Sequence, residues 1–347
     1  MSDVAVGNDI AWYASEIRHH DDLWIETLNS ISVFWDQSLS LGIFTLSFFV
    51  NQAYEYWKRV YNCSRAIQGR INDLSMLVTA CAARSEEYGE VDGTTGYQTK
   101  TINSDGKVID PQKLVSDVTR LLRMSHAFFW AATPTASDGL IPDFASSLPE
   151  DFDPSKVGPR LLSREGLETL VRCNQLTKNE MDALIATNLS PSQYYCILME
   201  WALIRCMTGL RSGELVGSQG LEDNLLKYFT QLRGEYANIG DFVAGRMAMA
   251  YVIAVEVIVD LLVLVSPLAL FVRMGALSIP ACGLITLSFK GLLEMSKSFL
   301  DTFGIEGYSV NNIRVDVLVS ETNFGASQRW VKAGDMLPSI KDKSSIE

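Results

Sequence analysis

The sequence predicts an all-α fold, a membrane helical bundle carrying a larger helical body on its cytoplasmic side. Three observations carry this. Apolar residues concentrate in two regions, 37–54 and 241–289, instead of being spread evenly. Much of the remainder repeats apolar residues at i, i+3 and i+4, with N-terminal capping signals ahead of the repeats. No region is rich in strand patterns, and there is neither an internal repeat nor a low-complexity tract.

Composition then narrows the function. At 48% hydrophobic residues and a positive mean hydropathy, the chain is too apolar to be disordered. Its 29 basic and 41 acidic residues give a net charge of −12, which excludes nucleic-acid binding through a general basic field. The six cysteines form no CxxC pair and no zinc-ligand spacing, so they read as buried small hydrophobes in a reducing compartment. His19 and His20 lack further ligands and read as a solvated pair, while His126 stands alone on an apolar helix and reads as a core residue. No metal site and no cofactor are expected. GxGxxG after a strand, GxxxxGK[ST], GxSxG and HExxH are all absent, so no enzyme motif is present.

In chain order, residues 1–30 are a polar, acidic N-terminal segment with scattered aromatics such as Trp12 and Trp24. Residues 37–54 are eighteen uncharged positions in a row, near the lower limit for a helix crossing about 30 Å of hydrocarbon. Lys58, Arg59, Arg65 and Arg70 follow at once, the charge bias of a cytoplasmic side. Residues 60–86 continue this helix or start the next. The glycine-rich stretch 87–112 and the proline-rich acidic stretch 133–158 read as long loops around a helix at 114–132. Ser163 weakly opens a short helix, and Thr177 with Glu180 opens a further one through a capping box. Ser190 and Pro191 start a helix that carries Tyr195, Leu198, Trp201 and Cys206 and is expected to end near Gly209. Residues 221–235 are amphipathic.

Residues 241–272 form a long apolar arm interrupted by Arg246, Glu256 and Asp260. A break at Arg273–Gly275 leads into another uncharged arm, 274–289. Three membrane spans are therefore expected: the 37–54 run and the two arms. The charges in the hairpin are expected to face a bundle interior or a water-filled cavity. A soluble helical core is the competing reading, because the longest charge-free stretch of the first arm is only 261–272.

Two segments bring a family into view. One is LSLGIFTLSFFVNQAYEYWKRVYNCSRAIQGRI, residues 39–71. The other is GLLEMSKSFLDTFGIEGYSVNNIRVDVLVSETNFGASQRW, residues 291–330. Both resemble the bestrophin family of pentameric anion channels, and residues 166–184 sit where that family has a similar helical piece. Residues 39–71 resemble the pore helix, with phenylalanines four apart and then Trp57. Residues 291–330 resemble the end of the last membrane helix, with Phe303 and Gly304 after Asp301, then Asp316, Asn323 and Trp330.

The resemblance implies a single channel domain over 31–330, with a pore helix at about 37–57, a helical body at about 60–240, an apolar hairpin at about 241–300 and a tail at 331–347. It implies a homopentamer in lipid that passes chloride or bicarbonate passively, and no nucleic-acid partner. A non-conducting membrane-associated helical scaffold of the same fold is the alternative. Residues 305–309 hold one carboxylate, Glu306, whereas a calcium site takes roughly six or more oxygens, so animal-type calcium gating is not expected. This form is more similar to plant, algal and bacterial relatives; in a photosynthetic eukaryote a plastid or thylakoid membrane would follow. Thr302 stands where a proline is common. The family also carries a membrane helix before the pore helix; no segment before residue 37 reads as one, and an incomplete gene model is the expectation.

Ser40, Phe44 and Phe48 stand four apart and form one helical stripe with about 6 Å of rise between levels. They match by spacing the three-level hydrophobic neck of the family. Phenylalanine edges are electropositive and tolerate a passing anion, while the apolar surface lets the neck dewet. Ser40 makes the outermost level wider and wetter than a large apolar residue would. A core or lipid-facing position is the weaker alternative for Phe44 and Phe48. Asn51 and Gln52 are candidate pore-lining amides, with helix–helix hydrogen bonding as their other reading. A lower constriction is expected near 217–221.

Overall fold

The computed structural model describes residues 3–84, 97, 101–102, 108–133, 160–304, 313–322 and 327–335, with side chains described within 24–84, 97, 108–133, 160–304, 313–322 and 329–334. Its elements are helices apart from one two-residue antiparallel pair, β1 (Thr101–Ile102) with β2 (Val108–Ile109). The helices are α1 (Asp3–Cys81), α2 (Pro111–Ala132), α3 (Arg164–Arg172), α4 (Lys178–Ala186), α5 (Tyr194–Ser212), α6 (Gln219–Ala244), α7 (Met249–Met274), α8 (Ser278–Leu300), α9 (Val315–Ser320) and α10 (Ser327–Asp335). The all-α expectation holds. The chain divides into two units: residues 1–58 with 246–300, and residues 59–245 with 301–347.

The first unit packs the apolar run of α1 against the α7–α8 hairpin. Leu46 and Phe49 of α1 join Val252, Val255 and Val259 of α7 and Leu293 of α8 in one cluster. Trp35 joins Leu262, Ala269 and Leu270 in another, and its indole N–H donates to the Leu262 carbonyl at 3.0 Å. Gly42 is buried between these clusters, where an added Cβ would collide with the Leu262 side chain. That absence of a side chain is what lets the two helices approach closely. Two stretches, Trp24–Cys81 and Met249–Leu300, are long and apolar enough to cross a membrane by length and composition. The latter contains both hairpin arms.

The hairpin's interrupting charges are paired. Glu256 on α7 accepts from Lys297 on α8 at 2.7 Å, and Asp260 pairs with Lys290 one level further along. Arg273 closes on Asp36 of α1, with Nη1 to Oδ1 at 3.0 Å. An isolated charge in apolar surroundings costs several kcal/mol, so pairing across the hairpin is what makes these positions tolerable. The first arm begins at Met249, not at residue 241, because 241–244 complete α6. The Gly245 N–H closes that helix on the Asp241 carbonyl at 2.7 Å.

The second unit is built on α2, which packs along α5. Asp110 caps α2 by accepting from the Lys113 N–H at 3.1 Å, and Pro111 fills the first turn, where no N–H is needed. Every residue from Met124 to Ala131 is buried, so the C-terminal half of α2 runs through the middle of the unit. Its Phe129 meets Tyr195 of α5 and Tyr236 of α6, the three ring centroids 4.3–5.4 Å apart. Ser163 caps α3 and the Thr177–Glu180 capping box opens α4, both as the sequence predicts. The helix after Pro191 begins as a 3₁₀ turn, continues as α5, and runs three residues past Gly209 to Ser212. Gly213, at φ +84°, ends it.

All six cysteines are free. Cys63 and Cys206 are buried as expected, Cys81 and Cys282 are half-buried, and Cys173 and Cys196 are exposed. The last two correct the uniform buried reading. Cys173 is the residue that ends α3, and Cys196 sits on the outer side of the first turn of α5.

Candidate functional site

The candidate site begins with the faces of α1. At about 100° per residue, Gly42, Leu46, Phe49 and Ala53 share one arc, and all four are buried. Phe44 lies about 180° around the helix from the middle of that arc, and Ser40 and Phe48 lie about 40° to either side of Phe44. All three are exposed, Phe44 at 70% and Phe48 at 49%. Neither phenylalanine therefore belongs to the chain's own core. Asn51 falls on the same face as the stripe and Gln52 at its edge, and both are exposed. A row of large apolar side chains turned away from its own hairpin is unfavourable in water and needs lipid or another chain beside it.

The hairpin presents a comparable surface. Leu264, Ile279 and Leu287 are 73%, 77% and 72% exposed, on helices that carry few charges. This outer apolar surface sets α7 and α8 apart from the core helices of a water-soluble protein, which turn such residues inward.

The other motif residues have structural partners. Trp57 stacks on Tyr54 at 6.3 Å and tilts against Phe299 at 6.1 Å. Phe303 is buried, with its ring edge-on to Trp130 at 5.6 Å. Gly304 adopts φ +73°, its N–H donates to the Asp301 carbonyl at 3.1 Å, and the Ile313 N–H donates to the Thr302 carbonyl at 2.8 Å. The turn thus needs glycine at 304 and seats Phe303 in the core. Asp316 pairs with Arg314 at 2.6 Å in the first turn of α9. Trp330 is exposed on α10. Asn323 and residues 305–309 lie outside the described residues. The side chains of His19 and His20 do as well.

Sequence reasoning missed a set of ion pairs in the second unit. Arg120 holds Glu180 through two bonds, at 2.7 and 3.0 Å, and also donates to the Gln175 carbonyl. Arg205 holds the buried Glu214 through two more, at 2.7 and 3.1 Å. Glu214 also accepts from Ser212 Oγ and from the Asp110 N–H. Burial alone would raise the Glu214 carboxyl, but the hydrogen bonds from Arg205, Asp110 and Ser212 outweigh it and hold the pKa below its ordinary value. The same balance, with Arg120 and the Thr177 N–H as donors, lowers Glu180. The Glu214 carbonyl accepts from the Ala83 N–H at 2.9 Å and the Val216 N–H donates to the Cys81 carbonyl at 2.7 Å, so this carboxylate anchors the segment that meets the end of α1.

In the region expected to hold a lower constriction, Val216 is exposed and Gly217 packs on Leu221, with no room for a Cβ. Among the described residues, no group of three or more His, Cys, Asp or Glu is arranged to hold a metal ion.

No protein-family model matches the sequence, and no curated protein matches it. Solved structures do match. A variant of a bacterial bestrophin homologue from Klebsiella pneumoniae superposes with a TM-score of 0.58 at 10% identity, over 91% of this chain and 98% of that one. Another structure of a bestrophin homologue from the same organism gives 0.55 at 12% identity, over 91% and 99%. A variant of a protein described as a membrane protein gives 0.56 at 11% identity, over 91% and 99%. At these identities the likeness is one of fold, and the fold is bestrophin-like.

Proposed function

We propose that this bestrophin-like chain is the subunit of a homo-oligomeric membrane anion channel, a pentamer in the arrangement the family resemblance implies. The observation that carries the reading is the stripe of Ser40, Phe44 and Phe48 on the α1 face opposite the chain's own hairpin. Repeated around a ring of subunits, each position becomes a girdle. Phe44 and Phe48 then form two apolar levels whose ring edges are weakly electropositive toward a passing chloride or bicarbonate. A narrow apolar stretch dewets readily, so small changes in girdle width open or close it. Ser40 caps the stripe with a wider, hydrated level, and Asn51 offers an amide N–H on the same face. Conduction is passive and involves no covalent chemistry. Calcium gating through an acidic clasp is not part of this reading, since Glu306 is the one carboxylate in 305–309. Lipid covers the outer faces of α7 and α8. In a photosynthetic eukaryote the membrane would be that of the plastid or thylakoid.

The experiment that separates a pore-lining stripe from a lipid-facing one is thiol accessibility. Ser40→Cys, Phe44→Cys and Phe48→Cys variants in liposomes are treated with a charged, membrane-impermeant methanethiosulfonate during anion flux. Reaction at these positions with a change in flux supports the channel. Inert positions with unchanged flux would assign the stripe to lipid and contradict it.

A further inference from the structure

The sequence sets four basic residues behind the apolar run, Lys58, Arg59, Arg65 and Arg70, and the proposed neck uses none of them. Three are spent on carboxylates. Lys58 pairs with Glu55 at 3.5 Å and holds its ammonium 6.0 Å from the centroid of the Tyr54 ring. Arg65 pairs with Glu321 at 2.6 Å, and Arg70 with Asp73 at 2.9 Å. Arg59 is exposed and has no ion-pair partner among the described residues. Helical geometry places this free guanidinium. α1 runs unbroken through all of these positions. Arg59 follows Phe48 by a little over three turns, so it falls about 20° from Phe48 around the helix and about 16 Å further along it. Glu55 and Lys58 lie within about 40° of Phe44, on the same face. Beyond the two phenylalanine levels, the stripe therefore carries Glu55 against Lys58 and Arg59, a surplus of one positive charge per copy.

Around a ring of subunits this surplus repeats in every copy. Like charges around a confined aqueous mouth add to a field that concentrates the opposite ion and repels its own kind. The phenylalanine levels carry no formal charge, so selection by sign falls to the charged turn. We propose that Arg59 is the charge-selecting residue of the pore, a ring of unpaired guanidinium groups at the basic end of the neck, with the Glu55–Lys58 pair beside it partly offsetting its field. The inference rests on the channel reading above. A guanidinium stays ionised at every physiological pH, so this selection does not titrate. Glu55 on the same face gives the assignment an internal control. Neutralising Arg59 removes the surplus, whereas neutralising Glu55 frees Lys58 and enlarges it, so the two changes act with opposite sign.

The test is the chloride-to-potassium permeability ratio of the full chain in planar bilayers, read from the reversal potential in a potassium chloride gradient. Wild type is expected to favour chloride. Arg59→Gln should lower the ratio about threefold or more, Arg59→Lys should keep it, and Glu55→Gln should raise it. The shifts should shrink at about 1 M salt, where the Debye length is about 3 Å, a dependence that a purely structural effect would lack. Arg59→Cys, in a chain whose exposed Cys173 and Cys196 are replaced by serine, separates charge from folding. Modified after reconstitution, this thiol should raise the ratio with a cationic methanethiosulfonate and lower it with an anionic one. A conducting wild type whose ratio is indifferent to Arg59→Gln, or a thiol variant that both reagents move the same way, would overturn the assignment and leave the channel standing. A well-folded oligomer that conducts nothing would overturn the channel reading, and this assignment with it.

Discussion

The indole N–H of Trp130 donates to Nε2 of His126 across 2.9 Å, in a core where both side chains are fully buried. An accepting Nε2 puts the imidazole proton on Nδ1 and makes the ring neutral. His126 is thus a core residue bonded one helical turn along α2. Nδ1 is buried and has no hydrogen-bond partner among the described residues, which leaves no compensation for a second proton.

This geometry predicts a pH-dependent stability. Burial pushes the His126 pKa down from 6.5 to about 3. Above pH 6.5 both folded and unfolded chains hold it neutral, and it adds no pH dependence. As pH falls below 6.5 the unfolded chain takes up a proton that the folded chain refuses until about pH 3, so stability falls by about 1.4 kcal/mol per pH unit. The loss between pH 6.5 and 5 is about 2 kcal/mol. Denaturation of wild type and His126→Leu across this range checks it: the wild type should lose that stability, and the variant should lack this component of the slope. Parallel curves would contradict the assignment.

The Glu214 anchor predicts a large local cost. Glu214→Ala leaves Arg205 without its two closest acceptors and removes the carboxylate that accepts from the Asp110 N–H, while the Ser212 hydroxyl keeps the Gly209 carbonyl. The expected loss is about 3 kcal/mol, typical of breaking a buried pair from one side. Chemical denaturation of the variant, read on the helices of the second unit, measures it. A loss below about 1 kcal/mol would mean that the segment after Gly213 is held by its backbone bonds alone.

Much of the fold was legible because local rules decided it. The caps at Ser163 and Thr177 and the proline start at Pro191 need only a few neighbouring residues, and they appear where those rules put them. The end of α5 was not legible, because two glycines compete for it. Gly209 is inside the helix, where its missing side chain admits Leu114 of α2, while Gly213 supplies the left-handed turn. A linear reading cannot tell a close-approach glycine from a capping one. The start of α7 was misread for a similar reason, since apolar residues on α6 run straight into the hairpin's pattern.

The ion pairs divide in the same way. Glu256, Asp260, Lys290 and Lys297 were visible as impurities in an apolar hairpin; they pair across it, and Asp260 does so while exposed instead of turning inward as expected, because the partner charge rather than burial neutralises it. Arg120 with Glu180, sixty residues apart, carries no periodic signal. The stripe at Ser40, Phe44 and Phe48 was legible as spacing. Its exposure emerged only from the packing of Phe49 and Leu46 on the hairpin, which turns the opposite face outward.

The central claim is that this stripe forms the neck of an anion pore, and anion flux in liposomes carrying the purified chain tests it most directly. Wild type is compared with Phe44→Ala plus Phe48→Ala, which leaves the hairpin cluster of Phe49, Val255 and Leu293 untouched. The account predicts chloride or bicarbonate flux from the wild type and an altered rate from the double variant, because two apolar girdles have been widened. A well-folded oligomer with no flux, or flux indifferent to both substitutions, would contradict it.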